Sequence, residues 1–104
     1  MDPANASDNG YRTVFRVPAE HPCLPGHFPG QPLVPGVVLL EQVAEALRAW
    51  RHQRMAQVVE AKFMAPLYPG EQADLVLGEN AGRIRFEIFR DSTVLARGVI
   101  EGSV

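Results

Sequence analysis

Prolines at positions 18, 22, 25, 29, 32 and 35 crowd one short stretch, and the run that follows, Val37 to Gln53, contains neither proline nor glycine. Each proline lacks an amide proton and restrains the residue before it, so neither a regular helix nor an interior strand persists across 18–36. The chain is therefore divided into a short N-terminal piece, a long loop and a C-terminal body. A loop of that length in a compact domain is either functional or disordered. Phe28, Leu33 and Val34 within it predict that it packs down.

The run "VVLLEQVAEALRAWRHQ" carries apolar residues on nearly every face except the line Glu41, Glu45, Arg48 and His52, which predicts a mostly buried helix starting near Gly36. Before the loop, Tyr11, Thr13, Phe15 and Val17 alternate with Arg12, Val14 and Arg16, the period of a half-exposed strand. After the helix, strands are predicted over Val58 to Phe63, Ala73 to Leu77, Arg83 to Arg90 and Thr93 to Glu101. Pro69-Gly70, Asn80-Ala81-Gly82 and Asp91-Ser92 separate them. Ile84, Phe86 and Ile88 share one face. One strand, one helix and then consecutive strands on short turns imply an α+β domain, an antiparallel sheet curled around a single helix. Residues 1–10, small, polar and without periodicity, read as a flexible tail, and 11–104 as one domain.

A chain of 104 residues affords only a small core, so a subunit with exposed apolar surface gains by pairing with another copy, and sheet edges offer the place. The net charge of −2 provides no field for nucleic acid or an anionic membrane. Cys23 is the sole cysteine, which excludes an internal disulfide. Nothing resembles a leader or a membrane span, and the chain reads as cytoplasmic. Arg48, Arg51 and Arg54 form a local cationic group, either a solvated helix end complementing the dipole or a docking patch for an acidic partner.

The chemistry concentrates in "GHFPGQPLVPGVVLLE", Gly26 to Glu41. The first-turn amides of a helix starting near Gly36 have no intrahelical acceptor and carry the positive end of the dipole, which suits an oxyanion. A proline-stiffened loop would hold His27 in a fixed relation to that start, with Glu41 a little over one turn along. Base, anion hole and acid suit proton abstraction beside a thioester carbonyl. Each residue also has a plainer reading: His27 as a solvent-facing loop residue, Glu41 as part of the polar stripe, Gly36 as a permissive helix start. His21, Cys23 and His27 have the softness of metal ligands, but no fourth ligand cluster accompanies them and no metal is expected.

That stretch, with His-Phe-Pro, Pro-x-x-Pro-Gly-Val and a carboxylate fourteen positions after the histidine, resembles the active-site signature of the 3-hydroxyacyl-acyl-carrier-protein dehydratases of the FabZ/FabA type, hot-dog fold enzymes of fatty acid synthesis. "VEAKFMAPLYPGEQADLVL" and "RFEIFRDSTVLARGVI" are similar to the family's later strands, so the likeness runs from about Tyr11 to the C-terminus. It implies a hot-dog domain with His27 as catalytic histidine, Glu41 as catalytic acid and the Gly36 amide on the thioester oxygen. His27 and Glu41 of one site would come from different subunits of a dimer. It implies no cofactor, an acyl carrier protein with a phosphopantetheine-linked acyl group as partner, and a homodimer, a higher oligomer or a hetero-oligomer with a related subunit. The helix and strand that precede the first strand in that family have no counterpart here, which bears on how a substrate tunnel closes. Glu45 replaces a frequent glutamine, and either acts on Glu41 as a like charge or faces solvent with Arg48. Two rival readings stay open: a hot-dog thioesterase in which Glu41 activates water, and a silent thioester-binding subunit.

Overall fold

The computed structural model describes residues 10–20 and 33–104. The elements in chain order are β1 (Gly10–Arg16), α1 (Gly36–Arg51), β2 (Arg54–Phe63), β3 (Gln72–Asn80), β4 (Arg83–Arg90) and β5 (Thr93–Ser103). The five strands make one antiparallel sheet in the order β1-β3-β4-β5-β2, with α1 laid against one face. This is the single-helix, antiparallel arrangement expected of the hot-dog fold. Gly10, expected in the tail, is the first residue of β1; residues 1–9, and the loop segment holding His21, Cys23, His27 and Phe28, lie outside the described residues.

Alternation decides which face of the sheet is buried. Leu75 and Leu77 on β3, Ile84, Phe86 and Ile88 on β4, and Ala96 and Ile100 on β5 share the inward face and are buried, with Leu95 buried beside them where the β4–β5 register shifts. They meet Val38, Leu39, Val43, Ala46 and Leu47 of α1. Each such large side chain contributes roughly 1.5–3 kcal/mol of transfer free energy. Tyr11 and Phe15 of β1 pack at the edge of this core, while Arg12, Val14 and Arg16 face outward.

The helix is less covered than its composition suggests. One sheet shields one face, so Val37 stays 59% exposed and Leu40 only half-buried. Its C-terminal end is tied to the β1 side of the sheet. Trp50 stacks on Tyr11 with ring centroids 6.3 Å apart, and the Arg51 guanidinium sits 4.0 Å from the Trp50 ring centroid. Arg51 also pairs with Glu79 on β3.

Two connections follow from backbone chemistry. Between β3 and β4, Ala81 and Gly82 both take positive φ, as a two-residue hairpin matched to strand twist requires. After α1, His52 adopts the left-handed conformation and its N–H donates to the Arg48 carbonyl at 2.9 Å, closing the helix.

Strand β2 begins at Arg54, four residues before the expected Val58, and its pairing with β5 shifts register between Met55 and Gln57 and between Val58 and Glu60. These bulges break the two-residue period by which a strand is recognised. The second one drives the Glu60 carbonyl onto Gly98. A Cβ at Gly98 would lie 2.1 Å from that oxygen and 2.7 Å from Cε2 of Phe86, the residue paired with Gly98 across the sheet. Gly98→Ala is therefore expected to destabilise the domain by about 1–3 kcal/mol. For a chain of this size that corresponds to a fall in Tm of about 4–8 °C per kcal/mol. Thermal melts check this, and an unchanged Tm would show that the bulge yields freely.

Candidate active site

The entry to α1 is held by its neighbours rather than by a side-chain cap. Val34, itself buried, donates its N–H to the Leu67 carbonyl at 2.9 Å, which fixes the loop before the helix to the segment after β2. That segment is anchored in turn. The amides of Met64 and Ala65 donate to the Leu95 carbonyl at 2.8 and 3.2 Å, and Arg90 donates to the Pro66 carbonyl at 2.7 Å and to Glu71 at 3.2 Å. Pro35 then occupies the N-cap with extended geometry, φ −63° and ψ 151°, the φ being set by its ring.

A proline at the N-cap offers no side-chain oxygen to the first turn, and no acidic residue stands there. The Pro35 carbonyl accepts from Val38 at 3.0 Å and Leu39 at 3.3 Å. The amides of Gly36 and Val37 have no acceptor among the described residues. Two donors and the positive dipole end are thus left for an oxygen from outside.

Beside them opens an apolar cavity of about 510 Å³, lined among the described residues by Leu33, Pro35, Gly36, Leu39, Phe63 and Met64, with Ala65 to Leu67 behind. Phe63, the last residue of β2, is 50% exposed, and its ring lies across Gly36. A Cβ on Gly36 would fall 2.9 Å from Cζ, 3.1 Å from Cε1 and 3.2 Å from Cε2 of that ring. Glycine is what lets the ring approach the helix start. The sequence singled out Gly36 as a candidate but not its contact with Phe63, because no local pattern shows that the end of one strand meets the head of a distant helix.

Glu41 lies on the exposed face of α1, with Val37, Glu45, Arg48 and Ala49. Five residues of helix separate it from Gly36, about 7.5 Å of rise and about 140° of net rotation, so the two point in different directions from one chain. Of the three arginines expected to act together, Arg51 is committed to Trp50 and Glu79, Arg48 is exposed on the helix, and Arg54 is exposed at the start of β2. His27 falls outside the described residues, as do His21 and Cys23. Among the described residues no group of three or more His, Cys, Asp or Glu side chains is placed to hold a metal ion, and no helix is long and apolar enough to cross a membrane.

Three likenesses to known proteins bear on this site. The chain is 32% identical over 88 residues to the 3-hydroxyacyl-acyl-carrier-protein dehydratase FabZ of Haemophilus influenzae (strain PittEE), an alignment covering 72% of this chain and 60% of that protein. It is 37% identical over 86 residues to the dehydratase of the same name from Histophilus somni (strain 2336), covering 70% of this chain and 57% of that one. The chain thus spans about 60% of the length of the curated relatives it matches. Among solved structures, the dehydratase heterocomplex ApeI:P from Xenorhabdus doucetiae superposes with a TM-score of 0.81 at 22% identity, over 94% of this chain and 90% of that one, and shares the fold. The model of the ApeI-like family, described as ApeI dehydratase, matches residues 4–99, and the chain belongs to this family of dehydratases.

Proposed function

We propose that this chain removes water from a 3-hydroxyacyl thioester, carried on the phosphopantetheine arm of an acyl carrier protein, to give the trans-2-enoyl thioester. The observation that carries the reading is the uncapped helix start at Gly36 opening onto an apolar cavity. The arrangement supplies hydrogen-bond donors where charge develops and an apolar wall for an acyl chain. Membership of a dehydratase family supports it, and so does the name of the FabZ relatives.

In this reading the thioester oxygen accepts from the Gly36 amide, which polarises the carbonyl and acidifies the proton on carbon 2. His27 takes that proton. The electron pair forms the double bond between carbons 2 and 3 as the carbon–oxygen bond at carbon 3 breaks, and Glu41 hands its proton to the departing hydroxyl, which leaves as water. His27 then returns a proton to Glu41 through solvent, and no external reagent is consumed.

Glu41 would serve the site of a second subunit, since it points away from Gly36 of its own chain. Strand β2 is a sheet edge, and the exposed Val58 and Met64 along and just beyond it make an apolar rim for that subunit to cover. The second subunit is a copy of this chain or a related one; ApeI itself occurs in a dehydratase heterocomplex, ApeI:P. Arg48 and Arg54, both exposed, are the candidates for docking an acidic carrier, with Arg51 in a supporting place beside Trp50.

The deciding experiment offers purified protein 3-hydroxyacyl-carrier substrates and follows them by mass spectrometry. Loss of water supports the reading, whereas loss of the acyl group makes the protein a thioesterase. His27→Ala should fold normally and lose about a hundredfold to ten-thousandfold in turnover, with Glu41→Gln similarly impaired.

Gly36→Val should depress turnover with a modest change in Tm, because the clash is with the far end of a half-exposed ring rather than with backbone. Global unfolding of that variant would instead give Gly36 a purely structural role.

Mixing His27→Ala with Glu41→Gln after denaturation tests the shared site. If each site draws on both chains, every mixed dimer has one intact site and about a quarter of wild-type activity returns. If each site is built within one chain, no activity returns.

A further inference from the structure

Among the described residues, Phe63 is a large apolar side chain that lines the cavity and packs against the proposed oxygen-binding residue. Three outer atoms of its ring, Cε1, Cε2 and Cζ, face the Cα of Gly36 so closely that a single methyl group placed there would have to displace them. The strand carrying it is fixed at this end: Phe63 pairs with Ala96, and the next two amides both donate to the Leu95 carbonyl. The backbone is held while the ring, half-exposed, keeps an open side toward the cavity.

A thioester oxygen bound at the Gly36 amide places its carbonyl carbon about 3.5–4 Å from that nitrogen. The Phe63 ring, packed on the Cβ side of Gly36 and lining the same cavity, borders the space that the thioester carbonyl and carbon 2 would enter. A linear acyl chain presents only hydrogens at carbon 2. A branched one adds a methyl group that competes with the ring for that space.

We propose that Phe63 is a specificity-determining residue that restricts the site to acyl thioesters unbranched at carbon 2. This deepens the dehydratase reading and rests on it. The contact with Gly36 is reciprocal: the ring limits what stands at position 36 as well as what stands at carbon 2 of the substrate. Shortening Phe63 should therefore relieve both restrictions at once, which a role in folding alone would not do.

The test compares the carrier-bound 3-hydroxybutanoyl thioester with its 2-methyl counterpart, each followed for loss of water, in the wild type, Phe63→Ala and Phe63→Leu. Wild type should strongly prefer the unbranched substrate. Phe63→Ala should raise the branched-to-unbranched ratio of kcat/KM by about tenfold or more, the discrimination that a methyl-sized change in an apolar pocket supplies. Phe63→Leu should fall between the two, and decides the matter if the alanine variant does not fold. The second arm introduces Gly36→Ala alone and together with Phe63→Ala. The double variant should be more active than Gly36→Ala, since the clash is gone.

An unchanged substrate ratio in the shortened variants overturns the proposal, and so does a double variant no better than Gly36→Ala. Absence of dehydration by the wild type on every substrate is a different failure, that of the dehydratase reading itself.

Discussion

The hydrogen bond from the Val34 amide to the Leu67 carbonyl is a small interaction with a large geometric reach. Its net contribution is about 1 kcal/mol, but both residues are buried, so leaving either group unpaired would cost about 1–3 kcal/mol more. It joins the last turn of loop before α1 to the segment after β2, and thereby sets the helix start against the cavity wall. Arg90 on Pro66 and Glu71, and the Leu95 carbonyl on Met64 and Ala65, hold the same segment from the sheet side. The wall is thus braced from the loop before α1, from β4 and from β5, so the space beside Gly36 has a defined size.

A second constraint sits deeper in the sheet. Phe86 stands opposite Gly98, and its ring fills the room a side chain would have taken. The Glu60 carbonyl closes in from β2 because the bulge adds a residue there. Such bulges sharpen local twist, which turns the edge strand and carries its end toward the helix. Phe63 lies just beyond, and its ring reaches Gly36. Core packing and site geometry are in this sense continuous: the glycine that admits a bulge in β2 lies near the route by which β2 delivers an aromatic ring to the cavity.

Much of this was legible in the residues. The alternation of Ile84, Phe86 and Ile88 matched the buried face of β4, and both ends of that strand were placed as observed, because a regular two-residue period against one core leaves little choice of register. The helix start at Gly36 followed from the switch out of proline-rich sequence. What was not legible has physical reasons. The first part of β2 hid behind its bulges, and the burial of α1 was overestimated because composition cannot say how many faces a single sheet covers. The contact of Phe63 with Gly36 joins residues remote in sequence, and the commitment of Arg51 to Trp50 and Glu79 joins β3 to the helix end; neither leaves a local signal.

The residue at the N-cap shows how stability and chemistry compete at this helix. Asp, Asn or Ser at position 35 would accept a hydrogen bond from the first turn and stabilise the helix by about 1 kcal/mol. Pro35 instead pre-sets its own φ and has no side-chain oxygen, so the amides of Gly36 and Val37 keep their donors. In water those donors would be satisfied by solvent and worth little to a reaction. Next to an apolar cavity they face an environment where a charge-assisted hydrogen bond is stronger and fewer water molecules compete. The orientation of the donors is already fixed by the helix and the Val34–Leu67 clamp, so no further ordering would be needed as negative charge develops on a bound oxygen. A helix left uncapped in this way gives up local stability that the core beneath Val38 and Leu39 offsets, and the cavity that borders it then sets which carbonyl groups reach the exposed amides.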